Sequence, residues 1–211
     1  MRNIEQLVEG LSKDTVAVKP APHPFLLSLK WLAFATAYIV ISLAISGMRA
    51  DLAHALQNPW FIAEIVALSG IFIATALSTA VLAFPDLHQQ RRTAFAPVWA
   101  FALFLLVMFF AWRADAPPAP LPMHDFECTL NILLLSLLPS AGIFYAMRGL
   151  ASTHPRLSGI VALLFAFSTG ALWLRLYEPN DSIIHVIEWH YLPMIAVGLL
   201  GLWLGKKLLR W

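Results

Sequence analysis

The chain has 211 residues, 60% of them apolar and 12% charged, with a mean hydropathy of +0.73. Soluble domains are about 25% charged, so this composition excludes a water-soluble enzyme, a nucleic-acid-binding domain and a disordered linker. A net charge of +2 offers little to a polyanion, and a single cysteine excludes an internal disulfide or a one-chain thiolate cluster.

Residues 1–24 form the only sizeable segment outside the apolar runs. Asn3 with Gln6 reads as an N-cap pair. Ile4, Leu7, Val8 and Leu11 follow at i, i+3, i+4 and i+7, which places one apolar stripe on a short helix. Glu5 and Glu9 come early and Lys13 late, the order the helix dipole favours. Gly10 weakens this helix, and a helix of about ten residues is marginal alone in water. Val16, Val18, Lys19, Pro20, Pro22 and Pro24 then make a stiff, extended connector. Two readings stand for this head. It lies on a membrane surface, or it folds into a groove on a cytoplasmic protein. Surface anchors usually carry Lys or Arg on the polar face, and this face is acidic.

Six runs are long and apolar enough to cross about 30 Å of hydrocarbon: Phe25–Gly47, Trp60–Phe84, Ala94–Trp112, Phe126–Met147, Leu157–Leu176 and His190–Leu209. Their length and lack of strict alternation predict helices rather than a barrel. The expected fold is therefore an all-α integral membrane protein. A six-helix transmembrane domain over residues 25–211 follows a cytoplasmic amphipathic head over residues 1–24. The first run starts too far in, and is followed by too many spans, to read as a cleaved signal peptide. No internal repeat suggests duplicated transporter halves. Pro139 and Pro193 fall within spans and should loosen or kink them.

Lys and Arg stay on the cytoplasmic side of a membrane. Arg2, Lys13, Lys19, Lys30, Arg91, Arg92, Arg148, Arg156, Lys206, Lys207 and Arg210 fall on one side, and Arg49, Arg113 and Arg175 on the other. Eleven against three puts both termini in the cytoplasm. Trp31, Trp60, Trp112, Trp173, Trp189 and Trp211 near the run ends form an aromatic belt.

The remaining chemistry gathers on the outer face, where Asp51, His54, Glu64, Asp115, His124, Asp125, Glu127, Cys128, Glu178, Asp181, His185, Glu188 and His190 all fall. His124 and Cys128 are four apart at the start of the fourth span, and His185 and Glu188 are three apart before the sixth. Such ligands suit Zn²⁺ or a heavier metal. No HExxH or paired CxxC is present, and acids accumulate outside simply because Lys and Arg do not, so a bound metal is weakly indicated, with His124 and Cys128 its candidates. Cys128 alone also reads as a small packing residue. Glu64 lies one turn inside the second span, where a lipid-facing carboxylate costs at least about 2.5 kcal/mol. It either faces the bundle, with Arg175 as its candidate partner, or reaches the outer interface. No nucleophile with a base, proton relay or selectivity filter is recognisable.

Three stretches together resemble one family. They are LVEGLSKDTVAV (Leu7–Val18), HDFECTLNILLLSLLPS (His124–Ser140) and LYEPNDSIIHVIEWHYLP (Leu176–Pro193), joined by a terminal LLRW (Leu208–Trp211). With them, nearly the whole chain resembles the NrsF-type proteins, negative regulators of sigma-F, which are six-span anti-sigma factors of the bacterial inner membrane. The resemblance implies that the head binds an extracytoplasmic-function sigma factor and releases it on an envelope or periplasmic signal. The sigma-contacting stripe would be Ile4, Leu7, Val8 and Leu11, with Val16 and Val18, while Glu5 and Glu9 meet basic residues of the partner. One departure stands out. Family members commonly carry a second outer cysteine in an HCPED-like stretch, and here Glu178 occupies that position within Tyr177–Asp181. A two-thiol switch within one chain is therefore unavailable, which leaves Cys128 to bind metal with His124 or Glu127, or to cross-link two chains.

The expected function is a membrane-anchored anti-sigma factor, not an enzyme, with no cofactor and no direct nucleic-acid contact. Its partners are the sigma factor, the bilayer and, if it oligomerises, a second copy. Periplasmic sensing would fall to Cys128, His124, Glu127, Glu178, Asp181, His185 and Glu188. The alternative is a small metal- or solute-handling membrane protein that uses that outer cluster.

Overall fold

The computed structural model describes residues 4–13, 22–85, 89–114 and 125–209. All regular structure among them is helical: α1 (Ile4–Lys13), α2 (Pro24–Ser46), α3 (Leu52–Ala55), α4 (Pro59–Leu82), α5 (Arg91–Ala94), α6 (Ala96–Ala114), α7 (Phe126–Arg148), α8 (Pro155–Tyr177), α9 (Ile183–His185), a π-helical segment (Val186–Tyr191) and α10 (Pro193–Leu208). Six helical stretches are long and apolar enough to cross a membrane: α2, α4, α6, α7, α8 and the continuous run Ile183–Leu208.

The sequence signals the starts of these helices. Pro24, Pro59 and Pro155 each open one, where a missing N–H costs nothing. The His23 ring accepts the Phe25 N–H at 3.2 Å, and Asn58 Oδ1 accepts that of Trp60 at 2.9 Å. The α2 helix stops at Gly47, whose φ of 88° only glycine adopts freely, with its N–H returned to the Leu43 carbonyl at 2.8 Å.

The α8 helix is the hub, packed against α10, α4, α7 and α2. In its most apolar stretch 83% of residues are buried, against 22% for α2 and for α6. The outer helices are apolar on their exposed sides too, through Phe34, Val40 and Ile45 on α2 and Trp99, Leu105 and Phe110 on α6. That is the pattern of helices whose solvent is lipid. Close approach replaces bulk where α8 meets α10. A Cβ on Gly159 would strike the Gly201 carbonyl, one on Gly205 the Pro155 carbonyl, and one on Gly201 would sit 2.6 Å from the Gly159 carbonyl. Gly201 and Gly205 are a G-x-x-x-G pair, the small-residue spacing that lets membrane helices touch backbones. Gly170 meets α7 in the same way, 2.6 Å from the Ile132 carbonyl for an added Cβ.

The last span begins at Ile183, seven residues before the expected His190. Its first turns are wound wide: the Leu192 N–H reaches the Ile187 carbonyl, an i→i+5 bond of 2.8 Å. Pro193 accounts for part of this. In an α-helix its N–H would serve the Trp189 carbonyl, and proline has none. Thr129 Oγ1 on α7 donates to that carbonyl instead, at 2.6 Å. Pro139 sits inside α7, which continues through it.

Candidate functional site

The head and the far end of the bundle hold the polar chemistry. The head is α1. Glu5 and Glu9 are exposed on it, and Lys13 Nζ pairs with Glu9 Oε1 at 2.8 Å. Ile4 and Val8 lie 76% and 58% exposed, so the bundle leaves this part of the apolar stripe uncovered. Leu7 and Leu11 lie within α1 at the predicted spacing. Asn3, Val16 and Val18 lie outside the described residues.

At the far end two arginines organise a charged network. Arg49 follows α2, and its backbone N–H is bonded to the Leu176 carbonyl at 3.0 Å. Its guanidinium donates to both Asp51 oxygens at 2.8 Å, to both Asp181 oxygens at 2.8 and 2.7 Å, and to the Pro179 carbonyl at 3.2 Å. Arg175, on α8, donates to Glu64 at 2.6 and 2.9 Å, to Asp181 at 3.1 Å and to the Asn180 carbonyl at 3.1 Å. Tyr191 donates its hydroxyl to Glu64 Oε1. The Phe61 ring meets both cations, its centre 5.2 Å from the Arg49 guanidinium carbon and 5.0 Å from that of Arg175. Glu64 therefore faces the bundle, paired with Arg175 as the sequence suggested.

These contacts set the protonation of the loop residues. Hydrogen bonds to Asp51 and then Asp181 raise the Arg49 guanidinium further above its ordinary range. Hydrogen bonds from Arg49 hold the Asp51 carboxyl down at about 2. Burial works to raise the Asp181 carboxyl, but the Arg49 hydrogen bonds and the charges of Arg175 and Arg49 outweigh it and leave it lowered.

Beside this network lies a second cluster. Cys128, in the first turn of α7, is buried together with His185 and His190 of the last span, and one ligand atom from each lies within 4.8 Å of the others. The two imidazoles meet edge to face, with ring centres 5.0 Å apart. Asp125 Oδ2 lies 3.0 Å from His185 Nδ1.

The structure thus regroups the expected outer residues. His185 points inward while Glu188, its expected companion, is exposed. Glu127 is exposed beside the buried Cys128. Glu178 caps α8, with its N–H on the Leu174 carbonyl at 2.7 Å, and Asp181 belongs to the arginine network. His124 and Asp115 lie outside the described residues. Arg49, Tyr191 and the role of His190 were not legible as site features. The pointer to His190 would have been Pro193 three residues on, which disrupts the helical period just where two histidines stand five apart.

Residues 11–211 match the family described as NrsF, negative regulator of sigma F. The "Anti-sigma-F factor NrsF" of Caulobacter vibrioides (strain NA1000 / CB15N) is 28% identical over 212 residues, covering 98% of this chain and 99% of that protein. The "Probable anti-sigma-F factor NrsF" of Azospira oryzae (strain ATCC BAA-33 / DSM 13638 / PS) is 27% identical over 225 residues, covering 98% and 99%. No solved structure matches the chain. Six apolar spans, a helical head and a match over nearly all of its length place this chain in the NrsF family of negative regulators of sigma F.

Proposed function

We propose that the chain is an anti-sigma factor anchored in the bacterial inner membrane. Residues 1–24 form the cytoplasmic partner-binding segment, and residues 25–211 the transmembrane domain. The partner is a sigma factor of the extracytoplasmic-function class, held away from RNA polymerase until an envelope signal releases it. No catalysis is involved, in keeping with a regulatory family.

The observation that carries this reading is the uncovered stripe on α1, exposed at Ile4 and Val8 on a helix ahead of six apolar spans. A sigma-factor groove that buries Ile4, Leu7, Val8 and Leu11 gains about 1.5–3 kcal/mol for each side chain, offset by about 2–5 kcal/mol for ordering the segment. Val16 and Val18 extend the apolar surface, and Glu5 and Glu9 supply charge for basic groups on the partner. On the outer side, Cys128, His124, Glu127, Glu178, Asp181, His185 and Glu188 are the residues on which a periplasmic signal would act.

The orientation rests on charge. Arg91, Arg92, Arg148, Arg156, Lys206 and Lys207 sit at the head's end of the bundle. The two best-placed exceptions at the other end, Arg49 and Arg175, are buried and neutralised by carboxylates. They do not count as free positive charge for insertion.

The test uses the full-length protein. A Leu7→Asp, Leu11→Asp variant should be recovered in membranes at the wild-type level, lose co-purification with its sigma factor and derepress a sigma-dependent reporter. A variant that still represses, or a wild-type protein that retains no sigma factor, overturns the reading.

A further inference from the structure

We propose that Cys128, His185 and His190 form a binding site for a thiophilic d¹⁰ divalent cation, Zn²⁺ or Cd²⁺, at the end of the bundle opposite the head. The site does not depend on the anti-sigma reading.

The first observation is convergence. The three side chains come from the first turn of α7, from α9 and from the π-helical segment, yet one ligand atom of each lies within 4.8 Å of the other two. A tetrahedral Zn²⁺ bound at about 2.3 Å to sulfur and about 2.0–2.1 Å to nitrogen holds its donors about 3.3–3.6 Å apart. Small side-chain rotations close that difference.

The second observation is that His190 has no hydrogen-bond or ion-pair partner among the described residues, while His185 faces the Asp125 carboxylate without a hydrogen bond to it. His185 is 1% and His190 0% exposed, and none of their four ring nitrogens makes a hydrogen bond. Buried imidazoles ordinarily find a partner, and orphaned ones call for an explanation. The cations and donors around them are already engaged. Arg175 is used by Glu64, Asp181 and the Asn180 carbonyl, and Tyr191 by Glu64. A metal ion accepts a lone pair from each ring and removes the mismatch.

The third observation is the backbone that presents them. Residues five apart on an α-helix point about 140° away from each other at 3.6 residues per turn. Winding with i→i+5 bonds brings them to one side, and His185 and His190 bracket the wide turn. Thr129, next to Cys128, fastens that turn to α7 through the Trp189 carbonyl. The same contact therefore fixes the sulfur and nitrogen donors relative to each other.

The donor set selects the ion. One thiol and two imidazoles suit soft and borderline cations, whereas Mg²⁺ and Ca²⁺ take oxygen ligands. The Asp125 carboxylate, 3.0 Å from His185 Nδ1, adds negative charge beside the donors, which favours a dication. Asp125, 29% exposed at its side chain, is placed to orient that ring or complete the coordination. Binding releases the Cys128 thiol proton to solvent, forms the metal–sulfur bond and leaves both imidazoles neutral, with no change of oxidation state.

The experiment is a titration of full-length protein in detergent with Co²⁺, a coloured stand-in for Zn²⁺. Because Cys128 is the chain's one cysteine, a thiolate-to-cobalt charge-transfer band in the wild type reports this residue without any variant. The expected result is saturation at one equivalent, tetrahedral d–d absorption, and displacement by Zn²⁺ or Cd²⁺. Cys128→Ser should abolish the charge-transfer band, and His190→Ala and His190→Gln should weaken binding at least tenfold at an unchanged elution volume and circular dichroism spectrum. His23→Ala and His54→Ala, at exposed histidines, should bind as wild type. Absence of the band in the wild type, or a His190→Ala protein that folds and binds with unchanged affinity, overturns the proposal.

Discussion

Single residues at the far end of the bundle carry large electrostatic stakes. Glu64 and Arg175 are both buried, so removing either charge strands the other. Glu64→Leu should destabilise the detergent-solubilised protein by about 3–5 kcal/mol, while Glu64→Leu with Arg175→Leu should recover much of the loss. Thermal unfolding of the two variants side by side distinguishes these outcomes. Asp51 makes a cleaner pH prediction. Its folded value of about 2 lies below its ordinary 3.8, so its pairing with Arg49 is complete above 3.8 and is lost as pH falls through about 2. Carboxyl NMR should place the Asp51 midpoint near that value, and Arg49→Gln should return it toward 3.8. The Glu64–Arg175 pair was one of two readings the sequence left open, and the structure selects it over a carboxylate reaching the outer interface. The Arg49–Asp181 pair was not legible, since nothing local links residues 132 positions apart.

At the level of elements, helix contact depends on what is missing as much as on what is present. The α8–α10 crossing has no room for a side chain at Gly159, Gly201 or Gly205. Gly201→Leu should cost about 1–3 kcal/mol or more through overpacking, visible as a lowered unfolding midpoint. Gly198→Ala, where an added Cβ meets its nearest side chain at 3.8 Å, should be tolerated. The wide turn before α10 depends on one hydroxyl. Thr129→Val leaves the Trp189 carbonyl without its donor and should cost about 1–3 kcal/mol. Hydrogen exchange over residues 186–192 would locate the effect. Five of the six long apolar helices coincide to within a few residues with the runs read from hydropathy, because length and apolarity define both. The sixth was set to start too late for a physical reason. Its first turns carry His185, Glu188 and His190, which look like loop residues on composition. The burial of His185 and His190 depends on packing against α6 and α7 that a hydropathy reading does not see.

For the whole molecule, the charge distribution and the exposed head make separate predictions. An alkaline phosphatase fused to the C-terminus should be inactive and a fluorescent protein at the same point should fluoresce, as both termini facing the cytoplasm requires. The reverse pattern would remove the head from any cytoplasmic partner. Membership of the family was also legible from three short stretches, confirmed by the match over residues 11–211. The outer cluster was legible only as composition. Cys128, His185 and His190 meet because of the winding of one turn, which no spacing in the sequence announces.

The α2 helix is a rod gripped just past its C-terminal end. It runs 23 residues without a break, about 34 Å at 1.5 Å per residue. Three residues past its C-terminal end, Arg49 grips the 178–182 loop through Asp181 and the Pro179 carbonyl, and the end of α8 through the Leu176 carbonyl. Any displacement of that loop must either break this grip or carry the rod with it. A helix that cannot shorten delivers such a displacement to its opposite end, at Pro24, as a tilt or a piston stroke.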